Sequence, residues 1–479
     1  MNRTVLRRGY VLTMDPLLDD LPEADVLVEN DKITEIAPTI SVTDALEIDV
    51  SGCVVMPGMV DTHRHTWQTQ MRAICADWTL TDYLLGMRLT ISPAYHAEDV
   101  YVGNYTGALE ALNAGVTTIL DFSHCNNTPE HADAAIQGLV DAGVRALHCY
   151  GFFASSPAST AFPDHESRIA DFGRVLARHG GTSGLITLGV ALTEVGMVPW
   201  ASTAAEIAAA RARGSPMVAH TGCVWGSVIT KGIREMAAHR LLGSDQVHVH
   251  CNALDEDEWR LLAAAGSKVS VSPETELNMG MGRLAIGKCL ELGIHPTLSC
   301  DIISLNSGDL LTQARLALAY QRFVDNDRIN QSGAMPTSLS VGARDALTWA
   351  TLYGAEACGL EAVVGSLRPG KQADIVVIGR RSFALRPQHD AAGAIVFQTG
   401  PSDVEHVLVA GKLVKRDGVL VGVNVGDVLA RAERSASEVL ERVHQTTPEL
   451  PPKPGEAVDF EAFARAHLAE AMQTAPRAR

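Results

Sequence analysis

Four short apolar runs, far apart in this chain, each stop at a side chain able to hold a metal ion. No other feature restricts the fold so strongly. The runs are Val60-Asp61-Thr62-His63-Arg64-His65, Met217-Val218-Ala219-His220, Val247-His248-Val249-His250 and Thr297-Leu298-Ser299-Cys300-Asp301. Apolar runs of this length, bounded by turn signals, read as buried strands. A satisfied core histidine explains any one of them, but not polar residues placed again and again where buried strands stop. A parallel β/α barrel does explain it, because all its strands open on one face and residues remote in sequence meet there.

The first run shows how the ligands are aimed. After the Pro57-Gly58 break, side chains from Val60 onward alternate between faces, so His63 and His65 project to one side. Strand rise sets them about 6–7 Å apart along the backbone, and two such imidazoles can converge on one divalent ion at about 2.0–2.1 Å each. A His-x-His pair alone is also what a half-exposed strand would carry. His220, His250 and Asp301 at the ends of later runs are what favour a shared site.

Between residues 57 and 365, strands and helices alternate with the period of a parallel α/β barrel. Val116 to Phe122 reads as the second strand, Arg145 to Tyr150 as the third, Leu185 to Leu192 as the fourth and Lys268 to Val271 as a later one. Helices are expected over Ala204 to Arg213, Glu256 to Ala265 (capped by Asp255 and closed by Gly266), Leu310 to Phe323 and Asp345 to Gly354. Residues 1–56 and 366–425 are rich in short β runs, with a hairpin turn at Arg416-Asp417-Gly418. The tail, 426–479, carries helices over Asp427 to Val443 and Phe460 to Met472, separated by Pro448, Pro451, Pro452 and Pro454. It reads as a packing or subunit-contact element, or as a solvated end.

Bulk composition narrows the partners. The 479 residues carry 39 basic against 56 acidic side chains, a net charge of −17, and no Lys/Arg cluster, which argues against nucleic acid and anionic membranes as partners. No apolar stretch is long enough to span a bilayer. The N-terminus lacks a secretory signal core. Nine scattered cysteines, odd in number and never spaced Cys-x-x-Cys, argue against a disulfide framework and fit a reducing cytoplasm.

The pattern resembles the amidohydrolase superfamily over most of the chain. The matching pieces are Pro57 to His65, His220, His250, Asp301 and the late segment Gly365-Ser366-Leu367-Arg368-Pro369-Gly370-Lys371-Gln372-Ala373-Asp374-Ile375-Val376-Val377. It looks most like the branch of triazine hydrolases and of guanine, 8-oxoguanine and S-adenosylhomocysteine deaminases, where a segment similar to His65 to Arg72 follows the paired histidines. The resemblance implies a TIM-like (β/α)8 barrel beside a small β-sandwich that joins both chain ends. It implies that His63, His65, His220 and Asp301 hold one divalent metal, that Asp301 also takes a proton from water, and that His250 steadies charge on the substrate. Imidazole-rich donors suit Zn²⁺, the expected ion, or Fe²⁺, better than Mg²⁺ or Ca²⁺. Zinc lowers the pKa of a bound water to about 7. Binuclear members bridge two metals with a carboxylated lysine at the end of the fourth strand; Leu185 to Trp200 contains none, so a mononuclear site is expected.

One departure stands out. Deaminases of the resembled branch carry a glutamate three residues after the strand-five histidine, where this chain has Cys223. A thiol is a poor proton shuttle at neutral pH unless its pKa is lowered. Glu274 and Glu276, after the strand ending at Val271, are candidates for a relocated acid or a binder of a substrate amino group. An exposed loop carboxylate is the alternative for either. Trp67, Gln68, Arg72, His124, Cys223 and Trp225 are candidates for the pocket wall, with Tyr150 beside them, and Trp67 and Gln68 could stack on and hydrogen-bond a flat heterocycle. His148, inside a strand, reads as buried structure. The expected activity is metal-dependent hydrolysis of a C–N bond in a small nitrogen heterocycle, foremost loss of an exocyclic amine, by a homodimer or higher homo-oligomer. Ring opening of a cyclic amide, dechlorination of an aromatic ring, and a non-catalytic scaffold are the alternatives.

Overall fold

The computed structural model describes residues 3–153, 161–180, 184–224, 226–379, 382–452 and 460–476. Eight parallel strands follow one another in sequence order around a barrel: Met59–Arg64, Val116–Ser123, Arg145–Gly151, Ile186–Ala191, Met217–Thr221, Gln246–His250, Lys268–Val271 and Pro296–Leu298. Strands such as Val116–Ser123 and Arg145–Gly151 are buried along their whole length, as expected of parallel strands covered on both faces. Closure occurs at the candidate ligands themselves. The Asp301 N–H donates to the His63 carbonyl at 2.9 Å and the His65 N–H donates to the Asp301 carbonyl at 2.8 Å. Joining the last strand to the first therefore also sets Asp301 beside the paired histidines.

Local sequence accounts for most helix limits. Glu256–Ala265 begins after Asp255, whose carboxylate accepts from the N–H groups of Asp257 and Glu258, and ends at Gly266 with φ 69°. The helix expected from Ala204 starts earlier, as Trp200–Arg211, and the one from Leu310 runs on to Gln331. The helix expected over Asp345 to Gly354 is broken in two, Ala343–Ala350 and Leu352–Ala357, at Thr351, whose hydroxyl donates to the Leu347 carbonyl at 2.6 Å.

Both chain ends build one nine-stranded sheet. They meet where Val54–Pro57 lies antiparallel to Ile375–Ile378, with Met56 opposite Val376. The N-terminal edge strand Lys32–Ala37 also reaches the segment leading into Ile375–Ile378: the Ile33 N–H donates to the Lys371 carbonyl at 3.0 Å and the Gly370 N–H to the Ile33 carbonyl at 2.8 Å. The sheet thus curls around an apolar filling that includes Leu6, Val26, Val55, Leu367 and Val377. Asp417 (φ 50°) and Gly418 (φ 84°) make the tight hairpin between Lys412–Arg416 and Val419–Leu420.

The tail is docked, not a solvated end. Val439 and Val443 of helix Val425–His444 are buried in the cluster that holds Trp67 and Met71, and the Ser435 hydroxyl donates to Asp99 at 2.7 Å. Helix Phe460–Thr474 rests on Trp200–Arg211 and Ile233–Ala238. There the His239 Nε2 donates to the Ala471 carbonyl at 2.7 Å. Among the described residues no helix is long and apolar enough to cross a membrane.

Candidate metal centre

The strand ends bring the ligand side chains to one point. His63 Nε2 lies 3.1 Å from Asp301 Oδ1 and 3.3 Å from His220 Nε2, while His65 Nε2 lies 3.4 Å from the same carboxylate oxygen. His63, His65 and Asp301 form one set of donors within 4.8 Å of each other, and His63, His220 and His250 form another. Two of these residues sit in the left-handed backbone region, His250 at φ 78° and Asp301 at φ 56°. Neither is glycine, so the backbone is held in a costly conformation where the strands turn over the barrel mouth.

Groups behind the ring nitrogens orient them. His65 Nδ1 faces the Phe122 carbonyl at 3.1 Å, which requires the proton on Nδ1 and leaves the Nε2 lone pair free. His220 Nδ1 is fixed in the same sense by Glu194 Oε1 at 3.2 Å. Lone pairs of imidazole nitrogens and a carboxylate therefore crowd one small volume, an arrangement that a cation relieves. Burial pushes the His63 imidazole down to about 4 and His65 well below its ordinary range, so both are neutral, the state that ligates metal. Burial opposes ionisation of Asp301, but the His63 hydrogen bond and the surrounding imidazoles outweigh it and hold the carboxyl well below the usual range. The donor set fits a metal of the zinc or iron type.

His250 is held differently. Its Nδ1 meets Glu276 Oε1 at 3.1 Å, and Glu276, wholly buried, also accepts from the Ser272 N–H at 2.7 Å and the Asn252 amide at 2.9 Å. Burial disfavours the charged imidazole, but the Glu276 hydrogen bond and the nearby carboxylates outweigh that and raise the His250 pKa.

A cavity of about 400 Å³ opens above these donors, with His65, His220, His250 and Asp301 at its floor. A wider depression of about 1040 Å³, between Arg283 and Tyr320, contains none of the metal-binding donors.

The remaining candidates divide. His124 lines the cavity and stacks on His65, rings 4.1 Å apart and 4° from parallel. Cys223 lines it too, but burial pushes the thiol well up, which suits a wall and not a proton shuttle. Trp67 does not present a face to the cavity: it is buried against Tyr95, and its Nε1 donates to His124 Nδ1 at 3.0 Å. Gln68 spends its amide inside the protein, donating to Tyr83 at 2.7 Å and accepting from Ser304 at 2.8 Å. Arg72 lies near the surface, paired with Glu110 at 2.6 Å. Those three depart from the sequence expectation for one reason: the segment after His65 folds back as a short helix, Thr66–Met71, beneath the cavity floor. Glu274 also points away, held by the Gln313 amide and the Ser307 hydroxyl. Tyr150 donates to Asp171 at 3.0 Å, outside the cavity. His148 is buried against Asp121, as expected. Trp225 lies outside the described residues.

Among the cavity residues that escape sequence reasoning, three are charged: Arg88, Glu194 and Glu461. Glu194 has a legible signal, since Leu192-Thr193-Glu194 is again a polar side chain just past a strand. Arg88 and Glu461 come from a loop helix and the tail, where no periodicity points at the barrel mouth.

The sequence matches the amidohydrolase family over residues 54–414. The chain belongs to the amidohydrolase family. Among curated relatives of this amidohydrolase are a 5'-deoxyadenosine deaminase of Methanosarcina mazei, 28% identical over 92% of this chain and 99% of the relative, and a 5-methylthioadenosine/S-adenosylhomocysteine deaminase of Symbiobacterium thermophilum, 28% identical over 92% and 100%. Solved structures of the same fold include an adenosine deaminase from Xanthomonas campestris with bound zinc, 22% identical with a TM-score of 0.78 over 91% of this chain and 98% of that one. They also include a triazine hydrolase variant, 21% identical with a TM-score of 0.80 over 91% and 100%.

Proposed function

We propose that this amidohydrolase removes an exocyclic amine from a nitrogen heterocycle by hydrolysis, using one divalent ion, zinc, held by His63, His65, His220 and Asp301. The observation that carries the reading is the convergence of His63, His65 and Asp301, with His220 against His63, at the floor of a cavity, and an oriented histidine, His250, beside them. The names of the deaminase relatives support the same chemistry. When bound, the metal polarises water and makes it a nucleophile near neutral pH.

The protein's own residues do the rest. Asp301, ionised and at the cavity floor, accepts the proton that water gives up on attack. His250, its Nδ1 tied to Glu276, turns its Nε2 toward the reacting carbon and stabilises charge on the ring as the amine departs. Water supplies the new oxo oxygen; one of its protons leaves with the amine nitrogen as ammonia and the other ends on the ring nitrogen of the oxo product. Glu276 lies behind His250 and is better placed to orient that ring than to touch substrate.

A panel of amino-substituted purines, pterins, pyrimidines and triazines, with lactams as controls, tests the reading by scoring ammonia and ring opening separately. The expected result is ammonia release that a chelator abolishes and Zn²⁺ restores. Ring opening without ammonia, or turnover indifferent to chelation, would overturn it. Elemental analysis of protein purified without added metal decides between zinc and iron, and a folded protein that binds neither would point to a scaffold.

A further inference from the structure

The helix Leu310–Gln331 runs past the body it packs on. Its buried side chains end at Gln321, so residues 322–331 extend about 15 Å further without burying one. The return, residues 332–340, is exposed except at the half-buried Pro336. This arm is nevertheless a fixed structure. Gly333, at φ 80°, ends the helix, and its N–H donates to the Asn330 carbonyl at 2.9 Å. Arg322 Nε donates to the Val341 carbonyl at 3.0 Å, and the Asp325 carboxylate accepts from the Gln321 amide at 3.0 Å and from the Ser340 hydroxyl. The two limbs are therefore tied together at their base.

That frame holds apolar side chains in water. Phe323 is 65% exposed, Met335 85% and Leu339 53%, with Ile329 exposed in the same arm. Apolar residues scattered singly over a surface are ordinary, but several on one projection mark a contact surface. At the foot of the arm lies the depression of about 1040 Å³, walled by Val324, Asp325 and Arg328 of the arm and by Trp259, Leu284 and Leu290 of the body. A knob thus stands beside a recess.

Charge selects the occupant. Over residues 322–331, Arg322 and Arg328 balance Asp325 and Asp327, whereas the whole chain carries −17. Two such chains repel overall, and a locally neutral arm lowers that repulsion at the point of contact. Among the described residues, none of the four charges is in an ion pair: Arg322 and Asp325 are bonded to the neutral groups above, and Asp327 accepts from the Gln331 amide at 2.7 Å. A surface with both signs open is complementary to itself, because a two-fold contact sets residue i on j and j on i. A strongly acidic or strongly basic partner leaves half of these charges unmatched.

We propose that the arm is the interface of a two-fold homodimer, with the arm of each copy seated in the depression of the other. Phe323, Met335 and Leu339 leave water on docking. Because Asp325 and Arg328 wall the depression, seating also brings the charges of the two arms together.

The test is the mass of the full chain in solution by light scattering at micromolar concentration, with sedimentation giving the dimer Kd. The expected mass is twice the 51.1 kDa of one chain. Met335→Asp combined with Leu339→Asp raises Kd by about 100-fold or more and returns the single mass, with an unchanged denaturant midpoint because neither side chain is buried. Leu429→Asp, on the exposed side of helix Val425–His444, is the control and keeps the doubled mass. Asp327→Arg makes each arm positive and Arg328→Asp makes each arm negative, so either protein alone is a monomer and an equimolar mixture recovers the doubled mass. None of these readouts depends on turnover. A single mass for the wild-type chain, a doubled mass that survives the arm substitutions, loss of the dimer in Leu429→Asp, or a mixture of the two charge variants that stays single overturns the proposal.

Discussion

The two ends of the barrel bury charge in opposite ways. At the mouth, His63 Nδ1, Arg88 Nη2 and Glu194 Oε2 have no partner among the described residues, and the Nε2 atoms of His63 and His220 face each other across 3.3 Å. On the side that meets the curled sheet, the late segment Gly365 to Val377 buries comparable charge and matches it. Arg145, at the start of the third barrel strand, donates to both oxygens of Asp374 at 3.0 and 2.9 Å, and Asp374 also accepts from the Ala410 N–H at 2.8 Å. Lys371 donates to the Val364 carbonyl at 3.0 Å and to Ser366 at 2.7 Å, and Ser366 in turn donates to Asp15 at 2.8 Å. Burial of charge is therefore common to both regions. What separates them is that the Asp374 and Lys371 networks close within the protein, while polar atoms at the mouth stay open.

Substitutions at the two ends should separate cleanly if that contrast holds. The largest effect is expected from Asp301→Asn, which keeps the shape but removes the charge: kcat falls by about 10³-fold or more and bound metal drops in elemental analysis, with little change in unfolding midpoint. Turnover near wild type would break the assignment of the mouth. Asp374→Ala should invert the pattern. Stranding the Arg145 guanidinium is expected to cost about 3–5 kcal/mol of stability, read as a lower denaturant midpoint, while the folded fraction keeps its metal and its kcat.

Glu276→Gln falls between these cases, because Glu276 is a fully bonded residue at the functional end. An orienting role predicts a loss of about 10–100-fold in kcat with metal stoichiometry and KM retained. Loss of metal would instead place Glu276 in support of the ligands.

Lys415 sharpens the contrast from the sheet side with the smallest effect. It is 1% exposed, donates to the Asn113 carbonyl at 2.7 Å, and burial lowers its pKa to about 8. An unfolded lysine titrates near 10.4, so between these values the unfolded chain binds more protons and stability rises with pH. Wild type should gain on the order of 1 kcal/mol relative to Lys415→Met between pH 7.5 and 10, measured by parallel denaturant titrations. A difference independent of pH would show that the buried amine keeps its proton over this range as the unfolded lysine does, so that burial does not lower its pKa.

Much of this contrast is visible in the linear chain and some is not. The metal donors were legible because each terminates a strand, and strand ends share one face in a parallel barrel. The helix at Glu256–Ala265 was legible from its Asp255 cap and Gly266 stop. The cavity wall was read poorly where the chain leaves regular elements. Trp67, Gln68 and Arg72 follow His65 directly in sequence, yet the helical turn after His65 carries them beneath or away from the cavity. Glu276 could be noted as a nearby carboxylate, but its pairing with His250 depends on two strand ends lying side by side. Arg88 and Glu461 were invisible because they approach the mouth from a widened helix and from the tail.

What the residue order decided alone is the inventory and its spacing: which donors exist, that they stand at strand ends, and that both termini are β-rich. Those are local properties of period and turn chemistry, and they survive without knowledge of distant contacts. The partner of each donor, the valences left open in the wall and the docking of the tail were decided only by tertiary structure. Each depends on distances between atoms that folding brings together across hundreds of residues, and no local rule carries that information.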